Sequence, residues 1–313
     1  MTHEVIETLK GIAPIAEQSE SWEQRRHRGI GGSDAAAACG ISPWKSRYQL
    51  WLEKTADEPP SFEQSEPMRW GTLLEPVIRQ RYCDITGKSV VVPEQLLRHR
   101  KYQWCIANVD GLTDDDRVFE AKTARSGDGW GEDGSDVIPD YYQTQVQHYM
   151  AVTGAEAADV AVLIGASDFR ILTVPADEEL QSLLIEREAE FWDLVVRRVA
   201  PEPETIGDVQ LAFPRSKGDF AEASVDVVLA IEAVKKLKKQ QSEIEAEIDK
   251  RKAEIMAAIG ERDGIKDGDR VMATWKSAKP TKRFDTKAFA KAQPDLYSQF
   301  LKESEGSRRF LVK

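Results

Sequence analysis

The residues with the clearest chemical purpose lie in two short stretches. Asn108-Val109-Asp110-Gly111-Leu112 is followed, after an acidic turn, by Val118-Phe119-Glu120-Ala121-Lys122. Both stretches are apolar enough to form neighbouring strands, with Asp110 at the end of the first. Glu120 and Lys122 are two residues apart on the second, so strand alternation places them on one face. Two carboxylates and an ammonium converging at strand ends match the needs of phosphodiester hydrolysis. The acids hold one or two Mg²⁺ ions, and the amine orients the attacking water and offsets developing charge.

An acid-x-Lys triplet alone is weak evidence, and the sequence supplies its own control. Asp285-Thr286-Lys287 has the same pattern, but no Asp-Gly strand end lies upstream, and Asp285 or Thr286 is placed to cap a helix. The 120–122 copy has both the apolar strand and the upstream Asp110. Two further residues belong to the candidate set. Glu75 follows an apolar run, Trp70-Gly71-Thr72-Leu73-Leu74, and precedes Pro76. Taken alone it reads equally well as a solvated position beside a helix kink. Gln145 and Tyr149 are four residues apart and share a helix face. A glutamine on the core side of that helix needs a polar partner. His148 has no companion histidine at ligand spacing and reads as structural.

The elements that must position these groups follow from periodicity and punctuation. Helices are expected at 21–28, from Ser33 as N-cap through the alanine run, at 46–55, at 68–86 up to Gly87, at 139–152 and at 177–199. Strands are expected at 89–92, 104–109, 117–122, 159–164 and 169–174. Residues 123–138 form a Gly/Asp/Ser loop too long for a simple connection. Pro59, Pro60 and Pro67 mark another loop. The order implies an α/β fold with a mixed central sheet flanked by helices. Residues 201–224 read as a linker. Beyond them lie a long helix at 225–258 with a coiled-coil-like Ile/Leu/Val stripe, a hairpin at 265–275, two short helices and a last strand at 308–312. We therefore expect a catalytic domain over 1–212 and a C-terminal accessory region over 213–313.

Composition narrows the class. With 41% apolar and 31% charged residues the chain is globular, and no apolar run approaches the roughly 20 residues of a membrane span. The N-terminal stretch lacks the basic-then-apolar order of a secretory signal. Three cysteines, with no C-x-x-C spacing, argue against a disulfide framework or a zinc site and fit a reducing cytoplasm. The net charge of −11 counts against a passive basic DNA-binding face. The balance is uneven: residues 1–214 carry 21 Lys+Arg and 37 Asp+Glu, and residues 215–313 carry 22 and 17. Lys235, Lys236, Lys238, Lys239, Lys279, Lys282 and Arg283 are available to touch a DNA backbone, and the long helix to recruit a partner. A metal-dependent nuclease tolerates an acidic catalytic segment, because its carboxylates hold the cations that meet the phosphate.

Taken in order, Trp70-Gly71…Glu75, Asp110-Gly111, Glu120-x-Lys122 and Gln145…Tyr149 resemble the lambda-type phage exonucleases, the YqaJ-like viral recombinase group of the PD-(D/E)-x-K nucleases. The N-terminal Trp22…Arg26 and Gly31-Gly32-Ser33-Asp34 agree with the same family. The resemblance covers about residues 20–200, with Val109-Asp110 in place of the superfamily's Pro-Asp. It implies a restriction-endonuclease-like core and a 5′-to-3′ exonuclease. Such an enzyme degrades one strand of linear double-stranded DNA and leaves a 3′ single strand for an annealing protein in phage recombination. By position, Asp110, Glu120 and Glu75 would hold Mg²⁺, with Mn²⁺ as substitute. Lys122 would position the water, Gln145 would support the site, and Arg26 and Ser33 would bind the 5′-phosphate. Arg25 and Arg28 remain alternatives for that last role. The resemblance further implies a homotrimer, encoded by a phage or prophage and acting in the host cytoplasm. An end-independent endonuclease and a non-catalytic repair adaptor are the competing expectations.

Overall fold

The computed structural model describes residues 12–14, 22–59, 64–303 and 306–313. The remainder of the N-terminal stretch, Pro60, and the side chains of Trp22 and Glu23 lie outside the described residues. The chain divides into two compact units, Met1–Ala212 and Phe213–Lys313.

In the first unit the elements run β1 (Ile12–Pro14), α1 (Trp22–His27), α2 (Gly32–Ala38), α3 (Arg47–Thr55), α4 (Glu66–Thr86), β2 (Val90–Val91), β3 (Leu97–His99), β4 (Ile106–Ala107), β5 (Gly111–Thr113) and β6 (Val118–Ala124). They continue with α5 (Asp140–Thr153), β7 (Ala157–Ile164), β8 (Asp168–Pro175), α6 (Glu178–Val196) and α7 (Ile206–Ala212). The central sheet has the order β2-β5-β6-β7-β8. Its β6–β7 pair is parallel, with Glu120 opposite Val160 and Lys122 opposite Val162, and the other pairs are antiparallel. This is the mixed sheet the sequence implies. A smaller sheet, β1-β3-β4, lies beside it; the short β1 and β3 were not expected from the sequence.

Alternation along β6 decides what each face does. Phe119 and Ala121 point to one side, where Ile78 and Tyr82 of α4 cover them. Val118 faces the larger cluster built from Val146, Met150, Val160, Val162 and Leu172. Helix α5 therefore covers the face from which Glu120 and Lys122 project. Each fully buried aliphatic or aromatic side chain contributes roughly 1.5–3 kcal/mol. That is enough for two apolar faces to fix the register of β6, and with it the aim of its polar pair.

Several sequence-based expectations change in detail. Ser33 does not cap its helix: α2 begins at Gly32 with Gly31 as N-cap, and the Ser33 hydroxyl instead accepts from Arg26 at 2.7 Å. The stretch read as a linker contains α7, held by the fully buried Asp208. That carboxylate accepts from Ser46 at 2.6 Å and from the Thr205 backbone N–H at 3.0 Å, so the side chain ties the segment to the start of α3. The long loop after β6 is pinned by backbone hydrogen bonds and by Trp130, which is buried in the main core.

In the second unit, α8 (Val225–Ile259) is capped by Ser224 and largely exposed, with Ile259 buried. A hairpin of β9 (Gly264–Asp267) and β10 (Arg270–Thr274) follows, then α9 (Thr286–Ala292) and α10 (Pro294–Gln299). The expected closing strand at 308–312 does not form. Side chains satisfy backbone carbonyls there instead of a ladder: Arg308 donates to Phe213 O at 2.9 Å and Arg215 to Gly306 O at 2.7 Å. No helix among the described residues is long and apolar enough to cross a membrane.

Behind the sheet sits Asp159 of β7, 2% exposed. It accepts hydrogen bonds from Tyr82, Lys88, Arg117 and Thr173 at 2.5, 3.0, 3.1 and 2.8 Å. Asp159→Ala would leave Tyr82 and Thr173 without this acceptor, reduce Lys88 and Arg117 to their pairs with Asp115, and cut the tie between α4, β7 and β8. We expect a loss of about 2–4 kcal/mol, below the extreme for a buried pair because Lys88 and Arg117 keep access to water. Urea unfolding of the two proteins measures it, and a loss under about 1 kcal/mol would mean that the network contributes no more than a surface ion pair.

Candidate active site

Asp110 sits where the chain enters β5. Its Oδ2 accepts from the backbone N–H of Ala121, the residue between Glu120 and Lys122, at 2.9 Å. The strand pairing thus delivers Asp110 to the same end of the sheet as the Glu-x-Lys pair. Gly111 is required for this approach, since a Cβ there would collide with Val90 of the neighbouring strand β2. The Asp-Gly signature is therefore an acid plus the space that lets its strand close.

Glu120 is 2% exposed. Its Oε1 accepts from Lys122 Nζ at 2.5 Å and from Gln145 Nε2 at 2.8 Å. Its Oε2 is buried and has no hydrogen-bond partner. Gln145 also donates to the Tyr149 hydroxyl at 3.1 Å, so the buried glutamine on α5 finds the polar partners that its position demands. Lys122 Nζ lies 4.8 Å from the centre of the Tyr142 ring, a cation–π contact that holds the ammonium from a second side. Glu75, on α4, accepts from Arg79 at 3.3 Å, and Arg79 donates to Asp110 O at 3.0 Å. The i, i+4 pair on the helix thereby links the third carboxylate to the strand end.

The charges respond as crowded acids should. Burial, followed by the nearby Asp110, pushes the Glu120 carboxyl up to about 8. Burial and Asp110 raise Glu75, and burial raises Asp110 despite opposition from Lys122 and the Ala121 N–H. For Lys122 burial acts against the charge, but Glu120 and Asp110 outweigh it and raise the group. A buried carboxylate oxygen without a donor, beside two other acids, is an arrangement that a cation would relieve. The residues present therefore fit a hard, oxygen-seeking divalent ion held by Asp110, Glu120 and Glu75.

A second pocket opens beside this cluster, lined by Arg26, Gly31, Gly32, Ser33, Leu96, Ile106, Asn108 and Tyr149. Arg26 donates to Ser33 at 2.7 Å and lies 3.5 Å from Asp34. Asp34 is also bound by Lys54 at 2.8 Å. Burial raises the Asp34 carboxyl, but Lys54 and Arg26 outweigh it and hold it at about 2. Gly32 admits the Tyr149 ring, which any Cβ at that position would strike. Tyr149 thus lines this pocket while its hydroxyl reaches Gln145 and, through it, Glu120.

The structure brings all seven expected residues into these two adjoining places: Glu75, Asp110, Glu120, Lys122 and Gln145 in one, Arg26 and Ser33 in the other. Sequence reasoning had missed Asp34 and Lys54 as supports of Arg26, Arg79 as the link from Glu75 to Asp110, and Tyr142 as the ring beside Lys122. Arg79 was legible from its i, i+4 spacing to Glu75, whereas Lys54 meets Asp34 only in three dimensions. The control motif behaves as capping chemistry: Asp285 accepts from the Ala288 N–H at 2.8 Å at the start of α9.

One other cluster has metal-ligand residue types, with ligand atoms of buried Cys105, His148 and Glu188 all within 4.8 Å of one another. Both ring nitrogens of His148 are already used, Nδ1 on Glu188 at 2.8 Å and Nε2 on Ile106 O at 2.9 Å. A carbonyl and a carboxylate both accept, so each nitrogen carries a proton and neither offers a lone pair. Burial opposes that charge, but Cys105 and Glu188 raise the imidazole well above its ordinary value. The group is an internal ion pair, and it fixes Ile106 at the wall of the Arg26 pocket.

Comparison with known proteins adds a lineage to this geometry. The YqaJ-like viral recombinase domain matches residues 21–156. An uncharacterized protein YqaJ of Bacillus subtilis strain 168 is 32% identical over 322 residues, across 98% of this chain and 99% of that protein. Among solved structures, an alkaline exonuclease, LHK-Exo, from Laribacter hongkongensis shares 21% identity at a TM-score of 0.48, covering 56% of this chain and 92% of its own. A phage-related exonuclease from Haemophilus somnus 129PT shares 12% identity at a TM-score of 0.40, covering 57% and 100%.

The raised Glu120 carboxyl makes a prediction about the metal-free protein. A carboxyl that titrates at about 8 when folded and near 4.3 when unfolded costs stability as it ionises. That cost grows as pH rises through this window and levels off above it. Glu120→Gln removes the charge but keeps an acceptor for Lys122. In chelator, the variant should therefore gain stability relative to the parent between pH 5 and pH 8, read from urea midpoints. A gap that stays constant or narrows across this range would contradict the site's electrostatics.

Proposed function

Since the chain belongs to the YqaJ-like viral recombinase family, we propose that it is a metal-dependent nuclease that digests one strand of linear duplex DNA from its 5′ end. The observation that carries this reading is the Glu120 carboxylate: one oxygen is held by Lys122 and Gln145 while the other is buried and unsatisfied, beside Asp110 and Glu75. Magnesium bound to Asp110, Glu120 and Glu75 would polarise the scissile phosphate and lower the pKa of water.

The chain's own groups do the rest. Asp110 is held by the Ala121 N–H, beside Glu120 and Glu75. Gln145 spends its amide protons on Glu120 and Tyr149, which holds the Glu120 plane while Oε2 stays buried without a donor. The Lys122 ammonium is confined between Glu120 and the Tyr142 ring, where it orients the attacking water and offsets charge on the phosphate. Arg26 and Ser33 offer a guanidinium and a hydroxyl to a terminal phosphate in the adjoining pocket, with Asp34 and Lys54 behind them. Because Tyr149 joins the two places, a 5′-phosphate seated by Arg26 would set where the strand meets the carboxylates. The product would be a duplex with a 3′ single strand, the substrate of an annealing protein in phage-type recombination, and the working form a homo-oligomer.

The direct test is digestion of linear duplex phosphorylated at one 5′ end. We expect cleavage from that end in Mg²⁺ or Mn²⁺, none in chelator, and resistance of a closed circular duplex. Hydrolysis in excess chelator would defeat the metal reading, and efficient cutting of the circle would favour an endonuclease. Asp110→Ala and Lys122→Ala should each abolish cleavage while remaining folded by circular dichroism; near-normal turnover by either would remove it from the catalytic set.

Arg26→Ala tests the second pocket. Loss of a charge-assisted contact of about 1.5–3 kcal/mol should reduce the preference for 5′-phosphate over 5′-hydroxyl ends by the corresponding factor. If kcat/KM falls equally on both kinds of end, Arg26 supports the fold and does not read the phosphate.

A further inference from the structure

We infer that Trp44 is a stacking platform for an unpaired nucleobase beside the cleaved phosphate, an aromatic subsite at the mouth of the active site. The inference deepens the nuclease reading and rests on it. Trp44 is 66% exposed, so its indole is not a core residue. Its backbone is nevertheless held. The Ser42 hydroxyl accepts from the N–H groups of both Trp44 and Lys45 at 3.3 Å, and Pro43, between Ser42 and Trp44, restricts the chain.

The ring is held as well. It makes an edge contact with Tyr141, with centroids 4.4 Å apart and planes at 77°, and lies 6.3 Å from Tyr142. Tyr141 packs on Tyr142 at 4.4 Å, and Tyr142 rests on buried Trp130 at 5.4 Å. Tyr142 is the same ring that holds Lys122 Nζ at 4.8 Å. An aromatic series therefore runs from the core, past the catalytic ammonium, to an indole that is open to solvent.

Such a platform suits one class of ligand. Every base has a π-face that can lie on an indole, and stacking reads no sequence. Bases within a duplex already stack on one another, so the free surface of Trp44 is available to a base released from its pair. The first unit is rich in acids, and an uncharged ring lets a nucleotide approach without adding to the local charge. Holding one base out of the helix would keep the strand single where Lys122 and the carboxylates meet its phosphate.

The test uses the full-length protein with Ca²⁺ in place of Mg²⁺, and fluorescence anisotropy of a 5′-phosphorylated duplex with one unpaired 5′-terminal nucleotide. The probe carries either a normal base or an abasic analogue at that nucleotide. The wild type should bind the abasic probe about 5- to 100-fold more weakly, the range that loss of one base–aromatic stack implies. Trp44→Ala should bind both probes alike, at the weaker affinity, and Trp44→Phe should recover most of the discrimination. A wild type indifferent to the base, or a Trp44→Ala protein that still discriminates as the wild type does, would overturn the inference. Cleavage of the intact duplex in Mg²⁺ is scored separately: an inactive wild type removes the nuclease reading and the catalytic meaning of the subsite with it. An active wild type with no Trp44-dependent discrimination removes the subsite alone.

Discussion

The structure is organised around one costly act, the burial of the Glu120 carboxylate beside Asp110 and Glu75. Like charges brought together out of water oppose folding unless each finds a donor or a counter-ion. The protein supplies part of that compensation from fixed groups: the Lys122 ammonium, the Gln145 amide, the Ala121 N–H for Asp110 and the Arg79 guanidinium for Glu75. It leaves one oxygen of Glu120 without a donor. A site built this way is preorganised for a cation, since the work of collecting the acids is done by folding.

Holding such a cluster requires a rigid frame, and the frame is recognisable in the register of β6. Parallel pairing with β7 and antiparallel pairing with β5 fix Glu120 and Lys122 on the face covered by α5, while Phe119 and Ala121 anchor the opposite face against α4. A slip of one residue would reverse both assignments and bury an ammonium among Ile78 and Tyr82. Gly111 belongs to the same logic, because the strand bearing Asp110 can close on β2 only without a side chain there.

The two pockets are mechanically joined. Tyr149 stands in the space that Gly32 leaves open and its hydroxyl accepts from the Gln145 amide, so the ring that shapes the Arg26 pocket also steadies the partner of Glu120. Behind them the His148–Glu188 pair grips the Ile106 carbonyl. Its charges are fully buried and mutually satisfied, a device that trades stability for a defined geometry. Local chemistry of this kind also accounts for the acidic balance of the first unit. What the candidate site concentrates there is a handful of placed cations and acids, and the average charge of the surface says little about it.

By itself the sequence determined the helices and strands with long apolar periodicity, the mixed sheet, and which residues to look for in a candidate site. Glu75, Asp110, Glu120, Lys122 and Gln145 were legible because their types and spacings carry meaning within single elements: two apart on a strand, four apart on a helix, an acid before a glycine. The asymmetry between Asp285 and Glu120 was legible for the same reason, since a cap and a strand pair differ in their immediate neighbours. Tertiary structure decided what no local spacing encodes. It turned Ser33 from a helix cap into a partner of Arg26, placed an anchored helix at 206–212 within the 201–224 stretch through the Asp208–Ser46 contact, and left 308–312 without a ladder. It also joined Lys54 to Asp34 and set Trp44 against Tyr141, next to the Tyr142 ring that holds Lys122. Each of these depends on side chains from distant segments competing for one polar atom or one apolar surface, and that competition is settled only when the chain is folded.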